Sequence, residues 1–174
     1  MKLISVVGAG LLLSACATVA PSPPPQWPPY SEASEAEYVA YLKTGSGAIA
    51  GQAFLAQRNG GVVKGAGRVV TLDPATSIGN DWWSKAGRLW VHRALVPPSP
   101  GFAKVRRTTI ADADGKFKFQ ELPAGAYYVR TEVTWEIGNY NPTQGGLVGQ
   151  LVEVRDGQLK EVVLNEYPKS LLSG

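Results

Sequence analysis

The chain has 174 residues, a formal net charge of +3 and 44% hydrophobic residues, a composition that suits one globular domain burying about two thirds of its unfolded surface. It contains one histidine and one cysteine, which excludes a metal site built on several imidazoles and an internal disulfide. A positive balance this modest does not mark a nucleic-acid binder, and no nucleic-acid partner is expected.

Residues 1–15 read as an export signal. Lys2 supplies a positive n-region, Leu3 to Leu13 an apolar stretch too short to span a bilayer, and Ser14 and Ala15 are small enough for a signal peptidase cleft. Leu13, Ser14, Ala15 and Cys16 together resemble the lipobox of bacterial lipoproteins. The resemblance implies cleavage before Cys16, acylation of its sulfur, and a membrane attachment through acyl chains that contribute roughly 0.8 kcal/mol per buried methylene. Acylation would also remove a lone thiol from an oxidising compartment. Ala17, rather than aspartate, follows the cysteine, so the resemblance points to the outer membrane on an unassigned face.

Residues 16–30 carry Pro21, Pro23, Pro24, Pro25, Pro28 and Pro29 and cannot join a helix or sheet. They predict a polyproline stalk of about 40 Å at roughly 3.1 Å per residue, with Trp27 and Tyr30 able to rest on the domain or at lipid headgroup level. Residues 31–45 predict one short helix, capped by the Ser34 and Glu37 pair, stopped by Gly45, and packed through Ala33, Ala36, Ala40 and Tyr41.

From residue 46 to 168 the periodicity is that of strands. Ala48–Leu55, Arg68–Leu72, Lys104–Ala111, Ala126–Ile137, Leu147–Arg155 and Gln158–Asn165 are β-branched or apolar runs bounded by glycine and polar residues. Phe117 and Phe119 alternate with Lys116 and Lys118, which puts both rings on one face of a further strand. Asp114-Gly115 and Asp156-Gly157 supply the positive φ of tight turns. About seven strands with turns between them predict a mainly β protein, a β-sandwich.

The stretch from Ala111 through Asp112, Gly115, Phe117 and Phe119 to Leu122, Pro123, Gly125, Tyr127 and Tyr128, with the opening strand Gly47 to Phe54, resembles the carboxypeptidase regulatory-like domains. These are small transthyretin-like (prealbumin-like) sandwiches, so the resemblance implies a seven-stranded Greek-key architecture. It implies little chemistry, because the motif is one of folding.

Residues 73–103 interrupt this pattern as an insertion holding Asp81, Trp82, Trp83, Trp90 and His92. Six basic residues, Lys85, Arg88, Arg93, Lys104, Arg106 and Arg107, follow one another without an intervening acid. As a recognition surface, Trp82, Trp83 and Trp90 would offer indole faces to sugar rings or a partner groove, and Arg88, Arg93, Arg106 and Arg107 would meet phosphates or carboxylates, with His92 a further candidate binding residue. Alternatively the indoles cover an open end of the sandwich and the charges are a solvated face.

No catalytic or metal site and no cofactor is expected. His92 would have to serve alone as a proton shuttle, and no serine occupies a nucleophile elbow. Asp112 and Asp114 fall short of a calcium loop, with Lys116 and Lys118 intruding, and Glu132, Glu136 and Glu153 form carboxylate pairs that any sandwich offers. The expectation is a non-catalytic, envelope-anchored adaptor that binds another envelope protein. The alternatives are a binder of glycan or lipopolysaccharide acting through the insertion, and a hydrolase.

Overall fold

The computed structural model describes residues 27, 29–58, 60–88, 97–138 and 143–167. Cys16, Trp90, His92, Arg93, the export signal and most of the stalk lie outside the described residues.

Among the described residues, eight strands form two four-stranded sheets. In the first, β1 (Gly47–Ala56) pairs antiparallel with β2 (Val62–Lys64) and β5 (Lys116–Leu122), and parallel with β8 (Leu159–Leu164). In the second, β3 (Val69–Pro74), β4 (Arg107–Ile110), β6 (Gly125–Glu136) and β7 (Thr143–Val154) run in the order β4-β3-β6-β7, all antiparallel. The mainly β sandwich expected from the turns and alternation is therefore present, with β2 as a short strand that the sequence pattern did not single out.

Alternation puts one face of each sheet into a shared core. Ile49, Ala53 and Leu55 of β1, Phe117 and Phe119 of β5, and Val162 and Leu164 of β8 meet Val70, Leu72, Tyr127, Val129, Val133, Val148, Val152 and Val154 of the second sheet. Lys116 and Lys118 remain exposed. The turn before β5 works as its residues require: the Asp112 carboxylate accepts from the backbone N–H groups of Asp114 at 2.9 Å and Lys116 at 2.8 Å, and Gly115 takes φ 75°. After Pro123 the chain reverses, and the Tyr127 hydroxyl donates to the Pro123 carbonyl at 2.7 Å from inside the core.

The outer face of the second sheet is covered by a third, helical layer, which the expectation of one short helix underestimated. Residues 31–42 form α1 (Glu32–Ala36) and a 3-10 turn (Glu37–Leu42). The cap is Ser31, whose hydroxyl oxygen accepts from Ser34 N, instead of Ser34. Ala33, Ala36 and Ala40 are exposed, while Tyr38 is buried and Tyr41 packs at its side. The insertion supplies α2 (Ser77–Trp82), a single π turn (Trp83–Gly87) and α3 (Pro100–Val105), which occupies the start of the run expected as a strand from Lys104. Thr76 caps α2 by accepting from Gly79 N, and Ser99 caps α3 by accepting from Phe102 N, with Pro100 in the first turn where a missing N–H costs nothing. Tyr38, Ile78, Trp82, Trp83, Phe102 and Val105 pack on Tyr128 of β6 as a second core.

Candidate functional site

Two features of this second core bear on function: a buried charge cluster and an open groove beside it. In the cluster, Asp73 on β3 is fully buried and accepts from Arg106 Nε at 2.6 Å and Arg106 Nη2 at 3.1 Å, the two-pronged geometry that suits guanidinium and carboxylate. Arg130 on β6 places its Nε 3.9 Å from the same carboxylate. Both guanidiniums lie over Trp82, at 5.1 Å and 4.7 Å from the ring centre, and Arg106 also lies 4.8 Å from Phe102. Burial pushes the Arg130 guanidinium down to about 10, against the opposing pull of Asp73. The cluster joins α3 to the sheet and is closed to ligands.

The groove lies where the helical layer meets the edges of both sheets. Trp83 of the π turn stacks on Tyr128 of β6, with ring centres 4.3 Å apart and planes 11° from parallel, and the Tyr128 hydroxyl donates to Asn80 Oδ1 at 2.8 Å. These buried rings form its floor. One wall is Gly149, Gln150 and Leu151 of β7; the other is Val163 and Leu164 of β8, continued by Asn165, Glu166 and Tyr167, and together they enclose about 330 Å3. Gly149 is needed there, since a Cβ would sit 2.8 Å from the Arg130 Cβ and from the Val129 carbonyl oxygen. Leu151 (49% exposed), Val163 (51%) and Tyr167 (60%) present apolar surface to solvent. The site can therefore pack the hydrocarbon face of a small ligand while amides, a hydroxyl and one carboxylate take its polar edge.

The sequence-derived site residues are distributed differently from the recognition surface expected of them. Trp82 and Trp83 are 0% and 2% exposed, so neither indole is a surface platform, and only Trp83 borders the groove. Arg106 is spent on Asp73. Arg88 donates from Nε to the Ser84 carbonyl at 3.1 Å, and Arg107 donates to the Gln120 carbonyl at 3.0 Å. Lys85 pairs with Asp81 at 2.6 Å. Asp81 also accepts from the Tyr30 hydroxyl at 2.8 Å, which fixes Tyr30 to the domain instead of a membrane surface. Burial works against the Asp81 carboxylate, yet the bonds from Lys85 and Tyr30 hold it below its usual range. The basic residues among those described thus serve separate elements and do not converge. Among the described residues no group of three histidine, cysteine or acidic side chains is placed to hold a metal ion, and no helix is long and apolar enough to cross a membrane.

Sequence reasoning missed Gln150, Leu151, Val163, Asn165, Glu166 and Tyr167. The one signal was Leu159 and Val163, apolar residues at outward positions of β8 where alternation calls for polar ones.

A β-sandwich with a helical cover on one face and a groove at its sheet edges is the class of protein that fold and site define. No protein-family model matches the chain, and no curated protein matches it. Among solved structures it is similar to a proposed carbohydrate-binding protein from Pseudomonas aeruginosa, with 32% identity and a TM-score of 0.67 over 81% of this chain and 100% of that one. The chain belongs to the family of that Pseudomonas protein. It is also similar to the major pilin subunit of Bacillus cereus, at 16% identity and TM-score 0.42 over 70% of this chain and 30% of the pilin. A streptococcal ancillary pilin matches at 15% identity and TM-score 0.33, over 72% and 31%.

Proposed function

We propose that this chain is a non-catalytic carbohydrate-binding module held at the cell envelope by a lipid on Cys16. The observation that carries the reading is the groove floored by stacked Trp83 and Tyr128 and rimmed by Tyr167, Leu151 and Val163, with Gln150, Asn165 and Glu166 as its polar side. An aromatic and aliphatic rim matches the C–H face of a pyranose, and a few fixed polar groups match its hydroxyls. The family relationship to a proposed carbohydrate-binding protein supports the same reading. The binding site moves from the insertion, where the sequence suggested it, to the β7 and β8 edges. Tyr167 is largely exposed, so Tyr167→Ala leaves the fold intact, and we expect it to weaken binding on a glycan array by about tenfold, equivalent to about 1.4 kcal/mol. Unchanged binding would remove the groove as the site.

A second reading, an adaptor that docks an envelope protein by strand addition, is favoured by β7 and β8, each of which pairs with a single strand among the described residues. Affinity purification from membranes that returns one defined protein, lost when proline replaces Glu161 on β8, would support it. We propose that the sandwich is of the carboxypeptidase regulatory-like class; its hairpin supports this reading, with Phe117 and Phe119 both buried and Tyr127 returning to their core. Outer-membrane anchoring rests on the lipobox, and loss of palmitate label in Cys16→Ser is the expected result.

A further inference from the structure

We propose that the outer face of the first sheet is a docking surface for a second copy of this chain, which meets it face to face about a two-fold axis running along β1. The helical layer covers the outer face of the second sheet, whereas the first sheet turns its own outer face to solvent: Lys116 and Lys118 of β5 and Leu159, Glu161 and Val163 of β8 are all exposed. Between these two strands β1 contributes Ala48, Ala50 and Gln52, which alternate with the core residues Ile49 and Ala53 and so point outward. The register sets the neighbours. Ala50 pairs with Lys118 on one side and Glu161 on the other, Gln52 with Lys116 and Val163, and Ala48 with Leu159.

This order, a basic column, a floor of small residues, then an acidic and apolar column, is complementary to itself. A two-fold along β1 lays β5 of each copy over β8 of the other. Lys118 then faces Glu161 of the second copy and Glu161 its Lys118, while Ala50 meets Ala50, where no long side chain holds the sheets apart. A two-fold running across the strands sets Lys118 on Lys118 and Glu161 on Glu161, so charge selects the axis. Leu159 and Val163 gain partners in the same overlay. They are 53% and 51% exposed at outward positions that alternation reserves for polar side chains, and in the pair they lie beneath the other copy's β5, where the hydrocarbon stem of Lys116 covers Val163. Val163 also lines the groove, but the groove floor, Trp83 and Tyr128, belongs to the second core on the far side of the second sheet and stays clear of the pair. A face three strands wide and the ten residues of β1 long measures about 14 Å by 34 Å, so two copies bury about 1,000 Å2 in all, the lower bound for a specific contact, and the dimer is reversible and micromolar in strength.

The test is sedimentation velocity of the whole lipid-free chain, residues 17–174, at concentrations from about 1 μM to about 1 mM. We expect a monomer–dimer equilibrium. Lys118→Glu and Glu161→Lys each set like charges across the axis and are expected to raise the dissociation constant at least about tenfold. The double variant carrying both changes restores each reciprocal pair with its signs reversed, and its dissociation constant should return close to that of the unaltered chain. Both side chains are exposed, so circular dichroism of all three variants should match the parent and separate lost docking from lost folding. A chain that stays monomeric at every concentration would overturn the proposal, whether the face then serves another partner or none. So would a dimer that the single changes leave intact, which would place the contact elsewhere, or a double variant as weak as the singles, which would deny the reciprocal pairing.

Discussion

Asp73 is the side chain on which the second core depends most. It is fully buried, it accepts from both prongs of Arg106, and it faces Arg130, so its removal leaves two guanidiniums in a low-dielectric space without their anion. Breaking such a buried set by deleting one partner costs about 3–5 kcal/mol. Asp73→Asn is therefore expected to lower the free energy of unfolding by that amount, whereas Lys85→Ala, which breaks the largely exposed pair with Asp81, should cost under about 1 kcal/mol. Comparable losses in the two variants would show that burial is not what gives the Asp73 cluster its weight. Nothing in the sequence distinguishes these acids. Asp73 follows the apolar run Val69 to Leu72 and Asp81 precedes Trp82 and Trp83, so both lie beside apolar residues, and only the packing of α3 over β3 makes one a core anion and the other a surface partner.

Among the elements, α2 and α3 are held by carboxylates from α1 and the 3-10 turn beside them. Glu35 of α1 accepts from Gly101 N at 2.9 Å at the start of α3, and Glu37 accepts from Ser77 N at 2.8 Å at the start of α2. Each takes an amide that the short helix cannot satisfy internally, and loss of such a cap costs about 0.5–2 kcal/mol. In Glu35→Ala with Glu37→Ala, amide exchange in residues 77–87 and 100–105 should quicken while β6 and β7 keep their protection. Uniform acceleration across the sheets would instead mean that the layer and the sandwich unfold as one unit. The strands were legible because alternation and Asp-Gly turns are local signals, and Phe117 with Phe119 is the clearest instance. Ser99-Pro100 is a local helix-start signal that the sequence reading passed over, because the run from Lys104 to Ala111 reads as a strand. The capping role of Glu37 was not legible, because its partner Ser77 lies 40 residues away.

For the molecule as a whole, burial raises the hydroxyl pKa of Tyr30, Tyr38, Tyr41, Tyr127 and Tyr128 above the ordinary value near 10. Below pH 10 these groups are protonated in both states and cost nothing. Above it the unfolded chain loses protons that the folded chain keeps, so folding stability falls as pH rises. Arg130, pushed down to about 10 by burial, works in the reverse sense over the same range, since the unfolded chain there holds the extra proton, but it is one group against five. Thermal midpoints should therefore hold level from neutral pH to about 10 and then drop, with the phenolate absorbance of these five rings appearing together with unfolding and not before it. Phenolate forming at any of these five positions in a still-folded chain would contradict the burial of these rings. The sequence by itself determined the sandwich, its paired-phenylalanine hairpin and its turns, because period-two alternation and positive-φ glycines act within a few residues. It also located an unusual insertion rich in tryptophan. Whether Trp82 and Trp83 faced solvent or core was decided by tertiary structure alone, and so was the groove: its floor comes from residues 83 and 128 and its walls from 149–151 and 163–167, segments that only the stacking of a helical layer on the sheet edges brings together.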